Sequence, residues 1–352
     1  MATIGQTFPQ LIDAYKGAAQ GTVIELLKQN NSILDDAIAT QCNMDTIHRH
    51  TIRTGYPSVT WGRLYKGTPA SKATLQQVDD TTGFLEARSE IDARLLKLAP
   101  DPAKARLVDS APYLEAMNIE MATGVFYHNT DTTPEKFKGL SARFNVYNTN
   151  IPDPSKPNVA NQVIHGGGSG SDNTSIWFVT WADHACSLLY PKGTKAGVNI
   201  MDKGEEAVED GAGNKYYAKV TMFEWHIGMF VKDYRYSARI ANIDTSDMLA
   251  GSVDLWSLMR KAYYRLHQIY GVNNLGGRTV CYMNRQTLEV LDQTSSDRAL
   301  KFSSGDSSYN YTAPGLSRVN VEGQLVPSYR GIPIRVCDAI LNSEDAVSGV
   351  AI

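Results

Sequence analysis

The chain has 352 residues, 42% of them hydrophobic and 20% charged, with a formal net charge of −3. That content is enough to bury a substantial core and excludes a disordered chain. The charge excludes a protein that wraps nucleic acid tightly, because phosphate binding is driven by concentrated Lys and Arg.

In chain order, the opening MATIGQTFPQLIDAYKGAAQ lacks the positive and continuous apolar regions of a secretory signal, and no later run is long and apolar enough to span a bilayer. Residues 1 to 47 read as a helical arm. Phe8, Leu11, Ile12 and Tyr15 share one helical face, and Val23, Ile24, Leu26, Leu27, Ile33 and Leu34 supply apolar positions beyond Gly21. Residues 48 to 98 read as an extended hairpin. Thr51 to Trp61 alternates like a strand, punctuated by Gly55, Tyr56 and Pro57, and a turn at Gly67 to Pro69 leads into a second extended run from Ser71 to Val78. Both runs are too polar to fold as an isolated ribbon, so the arm is expected to pair with a neighbouring chain.

Ser110 is a candidate cap for a helix with Pro112 in its first turn, and Leu114, Met117, Met121 and Val125 form its apolar stripe. The helix-prone residues Ala103 to Val108 leave open a longer helix disturbed at Pro112. Residues 148 to 173 read as a loop, Ile176 to Trp181 as a buried strand and 202 to 215 as an acidic surface loop. Two extended runs occupy Lys219 to Ile243. Asp254 to Tyr270 is amphipathic, with Leu255, Leu258, Met259, Ala262, Leu266 and Ile269 inward. Thr279 to Met283 reads as a strand, Arg285 to Asp292 as a helix, and 294 to 318 as a polar, flexible insertion. Ile332 to Val336 closes the series as a strand whose Pro333 favours an edge.

Several residue groups invite chemistry. GGGSGS at 166 to 171 could cradle an anion, yet it lacks the Lys-Ser/Thr of a phosphate loop and leads into a strand-like run, so it reads as a flexible connector. Asp183, His184 and Cys186 lie close in sequence but lack the context of an activated thiol. His48 and His50 alternate without a third ligand nearby and read as a solvated arm. Asp202, Glu205, Glu206, Glu209 and Asp210 do not match a calcium loop and read as a solvated face. Cys42, Cys186, Cys281 and Cys337 stand singly and read as reduced thiols of a protein folded in the cytosol. No cofactor or metal is implied.

The strings RTGYPSVTW, PASKATLQQVDDTTGFLEA and SEID, followed in order by YLEAMNIEMATGVFYHNT, PEKFKGLSARF, GGGSGSDNTSIWFVTW, YPKGTKAG, RYSARIANID and YRGIPIRVCDAILN, cover most of the chain. Together they resemble the major capsid proteins of epsilon-15-like short-tailed bacteriophages, within the Hong Kong 97-type capsid class. The resemblance implies an α+β fold with an N-terminal arm (1–47), an extended hairpin loop (48–98), a peripheral domain contributing a spine helix (99–140) and long strands (219–250), and an axial domain in two parts (141–218 and 251–352). The order of these segments implies a rearranged connectivity within that architecture. It further implies a structural protein rather than an enzyme, self-assembling as pentamers and hexamers into an icosahedral shell around double-stranded phage DNA, in the virion, after assembly in the bacterial cytoplasm. Its partners would be further copies of itself, a portal, a decoration or scaffolding protein, and packaged DNA through weak non-specific contact, with no membrane. Exposed aromatic and Arg side chains on a projecting element are typical interface anchors, which singles out Arg53, Tyr56, Trp61, Arg63 and Tyr65 for contacts between subunits. Lys66 and Lys72 pose the question of a Lys-Asn isopeptide bond, for which no matched Asn is identified. The alternatives are an encapsulin-like compartment of the same architecture and a cytosolic hydrolase using the Cys186 region.

Overall fold

The computed structural model describes residues 31–98, 101–152, 158–267, 277–301, 316–321 and 324–352. The expected helical positions from Phe8 to Leu27, and Ile269, lie outside the described residues. Within the rest of the arm, Ile33–Asp36 forms a single turn, α1, and Ala39–Gln41 is already a strand, β1. The described end of the arm is pinned to the body: Asp36 is buried between Arg278 (2.8 Å) and Arg335 (3.4 Å), and the Tyr282 hydroxyl donates to it.

Strands β2 (Ile47–Gly55) and β3 (Thr74–Asp92) form the expected antiparallel hairpin. Its first strand ends at Gly55 rather than running to Trp61, and its second runs well past Val78. The extension has a tertiary cause, because from Thr82 onward β3 leaves β2 and pairs with a strand far along the chain. A short helix, α2 (Ala93–Leu98), leads to α3 (Pro102–Tyr127), which is one continuous helix and not two. Asp101 caps it by accepting from the backbone of Ala103 and Lys104, and Pro102 sits in the first turn. Pro112 is therefore interior, and Ser110, instead of capping, donates to the Arg106 carbonyl at 2.7 Å. Met117, Met121 and Val125 are buried as expected, whereas Leu114 stays partly exposed.

After α4 (Leu140–Arg143) and β4 (Val146–Asn148) come β5 (Val163–His165), β6 (Asn173–Trp181), β7 (Cys186–Tyr190), β8 (Asn199–Glu209), β9 (Lys215–Val231) and β10 (Ala238–Asp244). Strand β8 corrects the acidic loop expected at 202–215: pairing with β9 along its whole length outweighs the poor strand propensity of Asp, Glu and Gly, and only 210–214 turns. Next are α5 (Thr245–Leu249), α6 (Leu255–Arg265, capped by Asp254), β11 (Arg278–Met283), α7 (Arg285–Lys301), β12 (Ser317–Val321), β13 (Gln324–Tyr329), β14 (Ile332–Val336) and β15 (Ser348–Val350). Helix α7 occupies the first part of the expected insertion. Strand β14 is not an edge, since it pairs with both β13 and β11. Pro333 is tolerated because the β11 ladder begins one residue later, at Ile334, so the missing N–H interrupts no bond on that side.

One sheet runs in the order β12-β13-β14-β11-β6-β7-β9-β3-β2, with β8, β10, β5 and β1 branching from it. Strand β6 is buried on both faces, which explains the continuous apolar run Ile176 to Val179 at its centre. Trp177, Val179 and Trp181 pack with Met117, Met121 and Val125 of α3, while Ile176 and Phe178 pack with Leu255, Leu258 and Met259 of α6. A buried polar cluster is set into this core. Arg239 meets Glu344 at 2.8 Å, lies 4.7 Å from the centre of the Trp177 ring and donates to the Phe144 carbonyl. Ser175 and Tyr127 both donate to the same carboxylate. Burial and that carboxylate push the Tyr127 phenol far above its usual range, so it remains a donor.

Candidate functional site

The hairpin is firmly held at its root and bare at its tip. At the root, Asn43 clamps the backbone of Arg49 from both sides, and Arg49 forms a two-pronged ion pair with its cross-strand partner Asp79 at 2.7 Å. The next residue, Asp80, points the other way. It is buried against Arg143 of α4 at 2.7 Å, and Arg143 also donates to the carbonyls of Lys138 and Met229. His48 stacks on Phe230 (4.6 Å between ring centres), and buried His50 lies 3.9 Å from Asp80 with neither ring nitrogen hydrogen-bonded. The two histidines thus belong to the anchor and not to a solvated arm. Burial holds both imidazoles below their ordinary value, against the attraction of Asp80. The alternating His48-x-His50 spacing was the legible part of this anchor; its partners Asp80 and Arg143 carry no local signal.

At the tip, residues 56–73 form no strand and no helix beyond a turn at Leu64 and Tyr65. Tyr56 is 82% exposed and Trp61 99% exposed, and Val59, Leu64 and Tyr65 are equally bare. Tyr65 adopts a left-handed backbone (φ 62°), uncommon for a side chain of that size. Ser71 donates across the tip to the Ser58 carbonyl at 2.7 Å. Arg53, paired with Leu75 near the end of β2, and Arg63 are also exposed. The five residues singled out for contacts therefore share one projecting element, and none is used to brace the body.

The other candidates resolve into structure. Gly166 and Gly168 donate their N–H groups to the carbonyls of Ala241 and Asn242, and a Cβ on Gly168 would lie 2.2 Å from Asn173 Oδ1. Those glycines allow close backbone packing beside β10, leaving their amides unavailable to an anion. Cys186 is fully buried, and burial pushes its thiol up to about 12. His184 packs on Tyr236 and Asp183 accepts from Thr40, so neither is arranged to activate it. All four cysteines are free and buried. Among the described residues no group of three or more His, Cys, Asp or Glu is placed to hold a metal, and no helix is long and apolar enough to cross a membrane.

A family model described as "Major capsid protein GP7" matches residues 15–348. The chain belongs to this major capsid protein family. Among solved structures, the bacteriophage Epsilon15 structure is similar at 33% identity and a TM-score of 0.67, over 99% of both chains. The capsid of Myoviridae phage XM1 is matched at 10% identity and a TM-score of 0.41, over 63% of this chain and 95% of that one. The SrpI encapsulin of Synechococcus elongatus is matched at 9% identity and 0.40, over 65% and 95%. No curated protein sequence matches. The Epsilon15 likeness agrees with the Hong Kong 97-type α+β architecture, and the capsid protein's role is structural: it is a building block of a phage shell.

Proposed function

We propose that the capsid protein closes an icosahedral shell as pentamers and hexamers around double-stranded DNA, and that its hairpin is the principal clasp between neighbouring subunits. The carrying observation is the tip at residues 56–73, where large aromatic and aliphatic side chains stand in water on a ribbon rooted by a buried ion pair. Such side chains gain nothing in an isolated chain; covered by a neighbour, each buried aromatic contributes on the order of 1.5–3 kcal/mol. Repeated contacts around a closed shell then sum cooperatively. Within this reading, 1–47 is an arm, 48–98 the clasp, 99–140 and 219–250 a peripheral domain, and 141–218 with 251–352 an axial domain. Arg53, Tyr56, Trp61, Arg63 and Tyr65 make the contacts. Assembly takes place in the host cytoplasm, with a portal and a decoration or scaffolding protein as further partners. The net charge of −3 leaves DNA contact weak and sensitive to salt.

Trp61→Ala tests the assignment. The monomer should keep its circular dichroism and melting temperature while the yield of closed particles, counted by negative-stain electron microscopy, falls sharply. Particles of normal yield and stability would remove Trp61 from the interface. Purified particles free of nucleic acid, even when made in the phage host with its packaging machinery, would count against the DNA-enclosing role.

A further inference from the structure

Among the described residues, the sheet formed by β3, β9 and β8 has one face covered by α3 and one that no element covers. On the covered side Tyr113 stacks on Phe223 and Arg106 reaches Asp202 and Thr221. On the opposite side, Glu86 and Glu224 are direct cross-strand partners. Directly opposed side chains on neighbouring strands have their Cβ atoms about 4.5–5.5 Å apart, and like charges so placed repel. Among the described residues neither carboxylate has an ion-pair partner. Arg88, the nearest cation along β3, is turned to Glu90 at 2.7 Å and Glu206 at 3.6 Å. In the adjacent row Phe84, 46% exposed, stacks on His226 with 4.3 Å between ring centres. An aromatic pair and a pair of uncompensated carboxylates thus stand side by side on an open sheet face.

The hairpin tip is its complement. From Arg53 to Ala73 the chain carries four basic side chains and no acidic one, interleaved with exposed aromatics. We propose that the uncovered face of β3 and β9 is the seat for the hairpin tip of a second copy, with a tip cation between Glu86 and Glu224 and a tip aromatic against Phe84 and His226. The inference rests on the clasp reading above and adds the receiving surface. The tip cannot reach this face on its own chain: Thr74 to Glu86 is a continuous strand of about 3.3 Å per residue, which holds residue 65 tens of ångströms away.

Asn199→Cys, opposite Glu224 on β8, combined with Thr68→Cys at the tip, treated with a short bis-maleimide in assembled particles, tests the seat without removing any residue of the proposed contact. The native cysteines are all buried, so labelling reports the introduced pair. A ladder of linked subunits on a denaturing gel is expected, and neither single-cysteine variant should give it. Well-formed particles yielding only a monomer band would overturn the seat while leaving the shell reading intact; a parent chain that never forms particles, even with phage assembly factors, would instead overturn the shell reading. A second readout uses the sign of the charge effect. Glu86→Gln with Glu224→Gln should leave the free chain at least as stable as the parent, since a repulsion is removed, yet lower particle yield about tenfold or more, as truncating one side of an interfacial charge pair does. Unchanged particle yield in that variant would show that the carboxylates receive no cation from a neighbour and would overturn the charged part of the seat.

Discussion

The core around β6 and the tip of the hairpin are built on opposite terms. Strand β6 is covered on both faces, and the nearby Arg239–Glu344 pair has its hydrogen-bonding atoms met by Ser175, Tyr127 and the Phe144 carbonyl. The tip holds Trp61 and Tyr65 in full solvent with few bonds of its own. The first region reaches its free-energy minimum within one chain. On the proposed reading the second is finished by another molecule, so stability and assembly should separate cleanly between them.

The largest stability effect should come from breaking the buried pair. Arg239→Ala leaves Glu344 buried without its cation and should cost about 3–5 kcal/mol in denaturant unfolding, with particles lost because the subunit fails. A loss below about 1 kcal/mol would mean that the cluster is less sealed than its geometry indicates. Next, Met121→Ala opens a cavity beneath α3 and should cost about 2–5 kcal/mol, again seen in monomer and particle alike.

An intermediate effect should appear at the hairpin root, where the two regions meet. His48 and His50 are held below the ordinary imidazole value, mainly by burial, with Lys232 adding repulsion at both and Arg143 at His50. Below about pH 6.5 the unfolded chain binds protons that the folded root resists, so stability present at neutral pH should drain away as the pH falls. Hydrogen-exchange protection factors at β2, corrected for the slower intrinsic exchange in acid, should fall on acidification, and His50→Gln should flatten that dependence. An identical slope in the variant would assign it to other groups. The smallest monomer effect belongs to Trp61→Ala, within about 0.5 kcal/mol of the parent. A larger loss would show that the tip folds onto its own body, and the contrast between the two regions would disappear.

Much of the architecture was readable because it is local. The stripe Met117, Met121, Val125 announced the face of α3, the alternation near Ile52 announced a strand, and Asp254 with its following apolar residues announced α6. The start of α3 at Asp101-Pro102 was missed in favour of Ser110 and Pro112, although a capping Asp followed by Pro at the first helical position is a local signal. The polar residues of β8 were read as a loop because nothing local marks a strand whose order comes from its partner.

By itself the sequence determined the periods of the elements, their turns, the family likeness and the concentration of aromatic and basic residues between Arg53 and Ala73. Tertiary structure alone decided that β3 would leave β2 for β9, that His50 would be buried beside Asp80, and that Glu86 would face Glu224. The physical reason is that periodicity specifies which side of an element is apolar, whereas strand partners and register depend on contacts between segments far apart in the chain.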